Sequence, residues 1–329
     1  MSSKLLHPFC VLGILSRDSD RDHILTQPKI LEILERDYRL TITRKTFYRS
    51  ITILQSNGYD IETYAENHKG YYLRERPFSE EQAVFFCTML EGVNDLTESD
   101  KNKTRDAFLE FLSRPMSKEV LETLSKNTTG YGRNNTMKNL HVISRAIRRG
   151  STITFDYIHY NIHKEEVYSE KPFADEEPRF IVVKESRYYL ITSGGRHHSI
   201  SHFRIDKMRN IKVTDHAMVS EFRYQYAYDY ALKSIFMFSG SPVYCRLRAK
   251  KAKHNIYDLM IDEFSMSVRF EDYDSQWFDV IAECSPRGMV ILAQKYLDAF
   301  YVVHPQPLRQ QVAQALQTAL ASYTEGGQE

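Results

Sequence analysis

Residues 41–58, Thr-Ile-Thr-Arg-Lys-Thr-Phe-Tyr-Arg-Ser-Ile-Thr-Ile-Leu-Gln-Ser-Asn-Gly, constrain this chain more than any other stretch. Thr43 is a good helix N-cap, because its hydroxyl can accept from a free N–H of the first turn. Gly58 is a good residue to end the helix, because it enters the left-handed region without a Cβ clash. Phe47, Ile51 and Leu54 recur at i, i+4 and i+7 and make one apolar stripe. Thr43, Arg44, Lys45, Thr46, Tyr48 and Arg49 are left mostly on the other faces, and no acid stands between Asp37 and Asp60. An outer face of cations, hydroxyls and amides at the positive end of a helix dipole suits a polyanion.

The flanking sequence extends this reading. Pro28 opens a second helix whose Ile30, Leu31, Ile33 and Leu34 form an apolar face up to Tyr38. A first helix, Lys4 to Arg17, is expected to bury Leu5, Phe9, Leu12 and Leu15. The connector Arg39-Leu40-Thr41-Ile42 suits a tight helix–helix turn. Downstream, Tyr59–Thr63 alternates like a strand, Asn67-His68-Lys69-Gly70 is a turn, and Tyr71-Tyr72-Leu73 is a second strand. Three helices followed by a hairpin make a winged helix-turn-helix over residues 1–77, with the residues above, His68 and Lys69 as DNA-contact candidates. The competing reading is a helical bundle whose charged stripe merely faces water. The hairpin directly after the third helix favours DNA.

At 329 residues the chain has room for two or three domains, and 42% hydrophobic residues supply real cores. The formal net charge of +1 does not announce a nucleic-acid binder, so any such affinity must come from a local patch. The four cysteines, Cys10, Cys87, Cys245 and Cys284, are far apart in sequence with no C-x-x-C pair, which suggests a reducing, cytoplasmic compartment. The apolar run Leu5–Leu15 contains His7 and Pro8, lacks a small-residue cleavage site and is too short to span a bilayer, so a buried helix is expected and no membrane.

Beyond Pro77, Ser79 and Gln82 form a capping box for a helix expected to bury Val84, Phe85, Met89 and Leu90. Two more helices, at Lys103–Leu112 and near Ser117–Leu124, complete a helical linker over 78–136. The polar run at 127–135 marks a boundary. Met137–Arg149 is helical, with Leu140, Ile143 and Ile147 on one face. Short strands follow to residue 218, suggesting a small barrel or a strongly bent sheet. Ser193-Gly194-Gly195-Arg196 reads as a hairpin turn. A tyrosine-rich connector (Tyr224, Tyr226, Tyr228, Tyr230) leads to a last module at 240–325, where strands and helices alternate as in an α+β domain. The overall class is α+β and multidomain.

Several motifs stand in a recognisable order: Arg44-Lys-Thr-Phe-Tyr-Arg49, Gly70-Tyr-Tyr-Leu73, Phe155-Asp-Tyr157, Lys171-Pro172, Tyr188-Tyr189-Leu190, Phe203-Arg-Ile-Asp-Lys-Met208, Phe236-Met-Phe-Ser-Gly240, Ile256-Tyr-Asp258 and His304-Pro305. Together they resemble the WYL-domain transcriptional regulators with a C-terminal extension. Tyr188 stands where that family has Trp, Lys207 where it has a second arginine, and Ser50 where an acid is usual. The resemblance implies an SH3- or Sm-like barrel at 137–218 with a basic, aromatic-lined pocket, and a C-terminal module that dimerises. It implies a double-stranded DNA operator, a nucleotide or short nucleic-acid effector, and a homodimer.

The pocket candidates are Tyr157, Arg187, Tyr189, Ser201, His202, Arg204 and Lys207. Bases can stack on tyrosine and phosphates can pair with arginine. Alternation places Ser201 and Phe203 on one strand face, His202 and Arg204 on the other. Arg204 has a second reading, an ion pair with Asp206 that only ties the barrel together. Histidines 159, 163, 197, 198 and 202 lack the converging acids or thiols of a metal site, so no metal is expected. No nucleotide-binding loop, nucleophile elbow or zinc-hydrolase motif occurs, so neither an enzyme nor a cofactor is expected. The sequence leaves one alternative function, a single-stranded nucleic-acid-binding accessory protein that uses its winged module for docking.

Overall fold

The computed structural model describes residues 6–124, 135–194, 200–219, 233–238 and 242–325. The chain divides into two compact units, Met1–Arg133 and Asn134–Glu329. His197, His198, the tyrosine-rich connector and the run at 127–134 lie outside the described residues.

The first unit opens with α1 (Leu6–Asp18), α2 (Gln27–Tyr38) and α3 (Arg44–Ser56). Val11, Ile14 and Leu15 of α1, Ile30, Ile33 and Leu34 of α2, and Phe47, Ile51 and Leu54 of α3 share one core. Phe9, expected inside, is 69% exposed. The stripe that α1 buries runs through Pro8, Val11 and Leu15, which turns Phe9 away. Thr43 caps α3 by accepting from the Thr46 N–H at 3.2 Å, and Gly58 follows the helix with φ of +89°.

Two short strands, β1 (Ile61–Glu62) and β2 (Tyr72–Leu73), pair antiparallel around the one-turn α4 (Tyr64–Asn67). The Thr63 N–H and hydroxyl both donate to Glu66, a local Thr-x-x-Glu pattern that starts a helical turn between the two strands. Tyr71 exchanges backbone hydrogen bonds with Leu25, between α1 and α2, at 2.8 and 3.0 Å. A Cβ on Gly70 would lie 2.3 Å from the Leu25 carbonyl oxygen, so only glycine fits there.

Helices α5 (Glu80–Glu91), α6 (Glu98–Leu109) and α7 (Arg114–Thr123) follow. Ser79 and Gln82 form the expected reciprocal cap. The buried stripe of α5 is Ala83, Cys87 and Leu90, packed with Leu109, Leu112 and Val120, whereas Phe85 and Met89 are 68% and 56% exposed. Phe86, one position from Phe85, takes the inward place instead and stacks on Phe108 at 4.2 Å. Arg76 donates to the carbonyls of Leu15, Ser16 and Ser19, satisfying the open C-terminal end of α1.

In the second unit, α8 (Thr136–Arg149) stops at Gly150, whose φ is +65°. Six strands follow: β3 (Ser151–Tyr160), β4 (Glu166–Tyr168), β5 (Phe173–Lys184), β6 (Arg187–Gly194), β7 (Ser201–Arg204) and β8 (Met208–Ala217). All pairings are antiparallel. β3 pairs with β4, β5 and β8, β5 with β6, and β6 with β7. Register breaks in β3 and β5 bend the sheet over α8, and Ile143, Ala146, Ile153, Phe155, Leu190, Phe203, Ile205 and Met208 fill the space between. The sheet is not closed. β7 and β8 are joined by the 3-10 turn Ile205–Lys207 but form no ladder, so the expected barrel is an open, bent sheet. Glu185 and Ser186, both with positive φ, make the two-residue β5–β6 turn without glycine.

The C-terminal part reads β9 (Val243–Lys250), α9 (Ile256–Phe264), β10 (Arg269–Asp272), β11 (Trp277–Cys284), α10 (Pro286–Lys295), β12 (Phe300–His304) and α11 (Gln306–Glu325). Its antiparallel sheet has the order β10-β11-β9-β12. The fold brings Cys245 and Cys284, read as distant, to a sulfur–sulfur separation of 3.5 Å in the core. The Cys245 thiol and burial push the Cys284 thiol up, which disfavours its thiolate.

Candidate nucleic-acid interface

The outer face of α3 carries the residues that the sequence singles out. Arg44, Lys45, Tyr48 and Arg49 are exposed, and Thr43 and Thr46 join their hydroxyls at 3.0 Å beside the cap. Among the described residues none of Arg44, Lys45, Arg49 and Lys69 forms an ion pair. Several other arginines of this unit do: Arg17 and Arg36 with Asp37, Arg74 with Glu62, Arg114 with Asp18. Ser50, where the resemblance has an acid, is buried and donates to the Thr46 carbonyl, so no carboxylate enters this face. Tyr48 lies edge-on to Phe47, and burial together with the Tyr48 hydroxyl pushes the Tyr71 phenol up to about 12. His68 takes a left-handed backbone after α4 with its ring edge-on to Tyr64, and Lys69 follows it exposed.

In the second unit, strand register sorts the other candidates. Tyr189 of β6 lies opposite Arg204 of β7, and Ile191 opposite His202. Leu190 and Phe203, paired between them, point into the core, so Tyr189, His202 and Arg204 share the other face. Arg187 is two residues from Tyr189 and joins that face. Ser201 does not: it lies on the core side with Phe203. Arg204 grips Asp206 with two hydrogen bonds of 3.0 and 2.7 Å. Burial pulls the Lys207 ammonium down, and the charges of Arg204 and Arg187 add to this against the opposing pull of Asp206. Arg204 and Lys207 thus flank the Asp206 carboxylate just after β7. Tyr160, which the sequence reading passed over, adds a ring 5.9 Å from the Lys207 nitrogen.

This segment matches a known domain family: residues 138–213 match the WYL domain. The chain carries a WYL domain. Among solved structures, the chain is similar to the proteasome accessory factor B/C (PafBC) of Arthrobacter aurescens. The identity is 15% and the TM-score 0.29, over 98% of this chain and 49% of that one. The chain thus spans about half the length of that protein. It is also similar to a CRISPR Cas-related protein at 10% identity and a TM-score of 0.38, over 93% of this chain and 94% of the other. No curated protein matches the chain.

Two WYL-domain candidates have structural work of their own. The Tyr157 hydroxyl accepts from the Arg204 N–H at 3.1 Å, its ring packs edge-on against Phe203 and Phe173, and burial pushes its phenol up to about 12. Tyr157 thus supports β7 from the core side. The His202 imidazole bonds the Met237 carbonyl at 2.8 Å through Nδ1, and Lys184 donates to the Ser234 carbonyl at 3.0 Å. Both contacts join the WYL sheet to the 3-10 turn Ile235–Met237 at the entrance of the C-terminal part. Backbone at Phe236 and Met237 is left-handed, with φ of 51° and 55°. His202 is thus part of a joint as well as of the WYL face.

Burial pulls the His202 pKa down, so its folded value lies below the unfolded value of about 6.5. A neutral ring is the one that fits this joint. Its contribution to stability is complete above the unfolded pKa and is lost as pH falls through that value towards the folded one. Melting curves from about pH 7.5 to 5 are expected to show this loss, and His202→Gln is expected to flatten it. An unchanged acid slope in His202→Gln would contradict the assignment.

Proposed function

We propose that this chain is a DNA-binding transcriptional regulator whose WYL domain senses a nucleic-acid fragment or nucleotide-like ligand. The outer face of α3 carries this reading: among the described residues its cations meet no carboxylate, and no acid stands between Asp37 and Asp60. Such charges gain most when phosphates replace their counterions. The order α1-α2-α3-β1-β2 and the Leu25–Tyr71 pairing support a winged helix-turn-helix, with α3 as the helix that enters the major groove. Thr43, Arg44, Lys45, Thr46, Tyr48 and Arg49 then face the DNA, and His68 and Lys69 reach its backbone. We read the active form as a homodimer on a two-fold operator.

At the WYL domain, an effector phosphate would be shared by Arg187, Arg204 and Lys207, with a base against Tyr189. Phosphate offers Arg204 a partner in place of Asp206. Binding regulates only if the effector prefers one arrangement of the protein over another. The His202 and Lys184 contacts supply a route from the WYL sheet to the C-terminal part. We read the bent sheet as an SH3- or Sm-like element, and the protein as a binder rather than an enzyme.

The test uses full-length protein on its selected duplex. Short single-stranded oligonucleotides are expected to change duplex affinity. Tyr189→Ala with Arg204→Ala is expected to remove this response by about tenfold or more in oligonucleotide affinity while duplex binding persists. An undiminished response in that variant would remove the WYL site from the proposal.

A further inference from the structure

The C-terminal sheet buries one face and leaves the other in solvent. Cys245, Leu247, Ala249, Phe278, Val280, Ala282, Phe300 and Val302 pack under helices α9 to α11. Alternate positions therefore point outward, and aromatic and basic residues stand among them beside the acids Glu271, Asp279 and Glu283. Across the strands, Tyr301 lies beside Arg248 and Arg248 beside Asp279; Lys250 lies beside Trp277; Arg246 lies beside Ile281 and Ile281 beside Arg269.

The arrangement is held in place. The Asp279 carboxylate, 3% exposed, accepts from Arg246 at 2.9 Å and from Arg248 at 2.8 and 3.2 Å, which fixes both guanidinium groups along the sheet. Arg248 lies 3.2 Å from the centre of the Tyr273 ring, Lys250 lies 5.5 Å from Trp277, and Trp277 meets Tyr301 edge-on at 5.6 Å. At the other end of the face, Tyr244, Ile281, Arg269 and Lys233 border a cavity of about 480 Å³. Tyr244, Tyr273 and Tyr301 keep 71%, 56% and 42% of their surface in solvent. The face also carries carboxylates: Glu271 meets Arg246 and Arg269, and Glu283 meets Lys233, whereas Lys250 lies exposed over Trp277. From Tyr244 to Lys250, β9 runs for about 20 Å at the usual rise per residue.

The geometry points to this open face as a second binding surface, one for single-stranded nucleic acid. Exposed tyrosines on a sheet give flat platforms for unpaired bases whatever their sequence, and the exposed Lys250 with the part-exposed Arg246 can meet the phosphates between them, while Arg248 stays bound to Asp279 beneath Tyr273. The length of the face suits two or three stacked bases, and the cavity can receive one at the Tyr244 end. A duplex hides its base faces and gains nothing from such a platform. This surface is separate from the WYL site, since it lies on β9, β11 and β12 and uses none of the residues assigned there.

The test uses full-length protein whose WYL site is disabled by Tyr189→Ala and Arg204→Ala. Fluorescence anisotropy with oligo-dT and oligo-rU of about ten nucleotides is expected to show remaining, salt-sensitive binding, and the two probes separate DNA from RNA. Adding Tyr301→Ala and Lys250→Ala is expected to weaken it by about tenfold or more, while Tyr301→Phe keeps it, because stacking needs the ring and not the hydroxyl. Photo-crosslinking of a 4-thiothymidine oligonucleotide to the unsubstituted protein, mapped by mass spectrometry, is expected to mark 243–250 or Tyr301. The map decides the matter if the alanine variant does not fold. The inference is overturned if the disabled protein binds no single strand, if the added substitutions change nothing in a folded protein, or if the crosslinks fall elsewhere. It is equally overturned if those substitutions alter only self-association, which would make the face a protein contact.

Discussion

Arg44→Ala combined with Arg49→Ala is expected to weaken duplex binding about a hundredfold or more at moderate salt, and to reduce the salt slope by about two. Both side chains are exposed and neither has a carboxylate partner among the described residues, so the fold should not suffer. The first turn of α3 holds no acid and carries Arg44 and Lys45, where a helix dipole disfavours positive charge. Removing Arg44 should therefore leave the protein as stable or slightly more so. Loss of binding without loss of stability separates a DNA-contacting role from a structural one. An electrophoretic mobility shift with a parallel thermal melt measures both, and full binding by the double variant would remove α3 from the interface.

Phe155→Ala is expected to cost about 3–5 kcal/mol in the second unit. Phe155 is 1% exposed, stacks on Phe173 at 5.4 Å and meets Phe203 edge-on at 4.9 Å. Those rings tie β3 to the start of β5 and to β7, which carries His202 and Arg204. A void there loses apolar contact and loosens the strand that positions the ligand face. Urea unfolding followed by circular dichroism reads the loss directly, and Phe155→Leu should show a clearly smaller one. A cost below about 1 kcal/mol for Phe155→Ala would mean that the three rings do not form a common core.

Much of the first unit was legible because its signals are local. Thr43, the Phe47–Ile51–Leu54 stripe and Gly58 define α3 within one stretch, and the cap and stripe fall where expected. The inward–outward alternation at Ser201–Arg204 was equally readable, since strand period fixes it. What could not be read depends on packing between distant elements. Phe85 and Met89 looked buried until α6 and α7 chose the other stripe of α5. Cys245 and Cys284 meet only because β9 pairs with β11. The His202–Met237 contact joins segments 35 positions apart, and nothing near His202 announces it. The strand pattern left a small barrel and a strongly bent sheet open, and the structure has the bent sheet, because β7 and β8 are joined by a turn without pairing.

The most direct measurement is a salt-titrated binding curve on the best duplex from a genomic fragment selection, taken with and without short single-stranded oligonucleotides. The account predicts a two-fold or near two-fold duplex bound at about nanomolar strength, a steep salt slope, and an affinity that the oligonucleotide changes. Weak, sequence-indifferent duplex binding beside tight single-strand binding would contradict it, and would make this protein a single-strand binder whose first unit serves for docking.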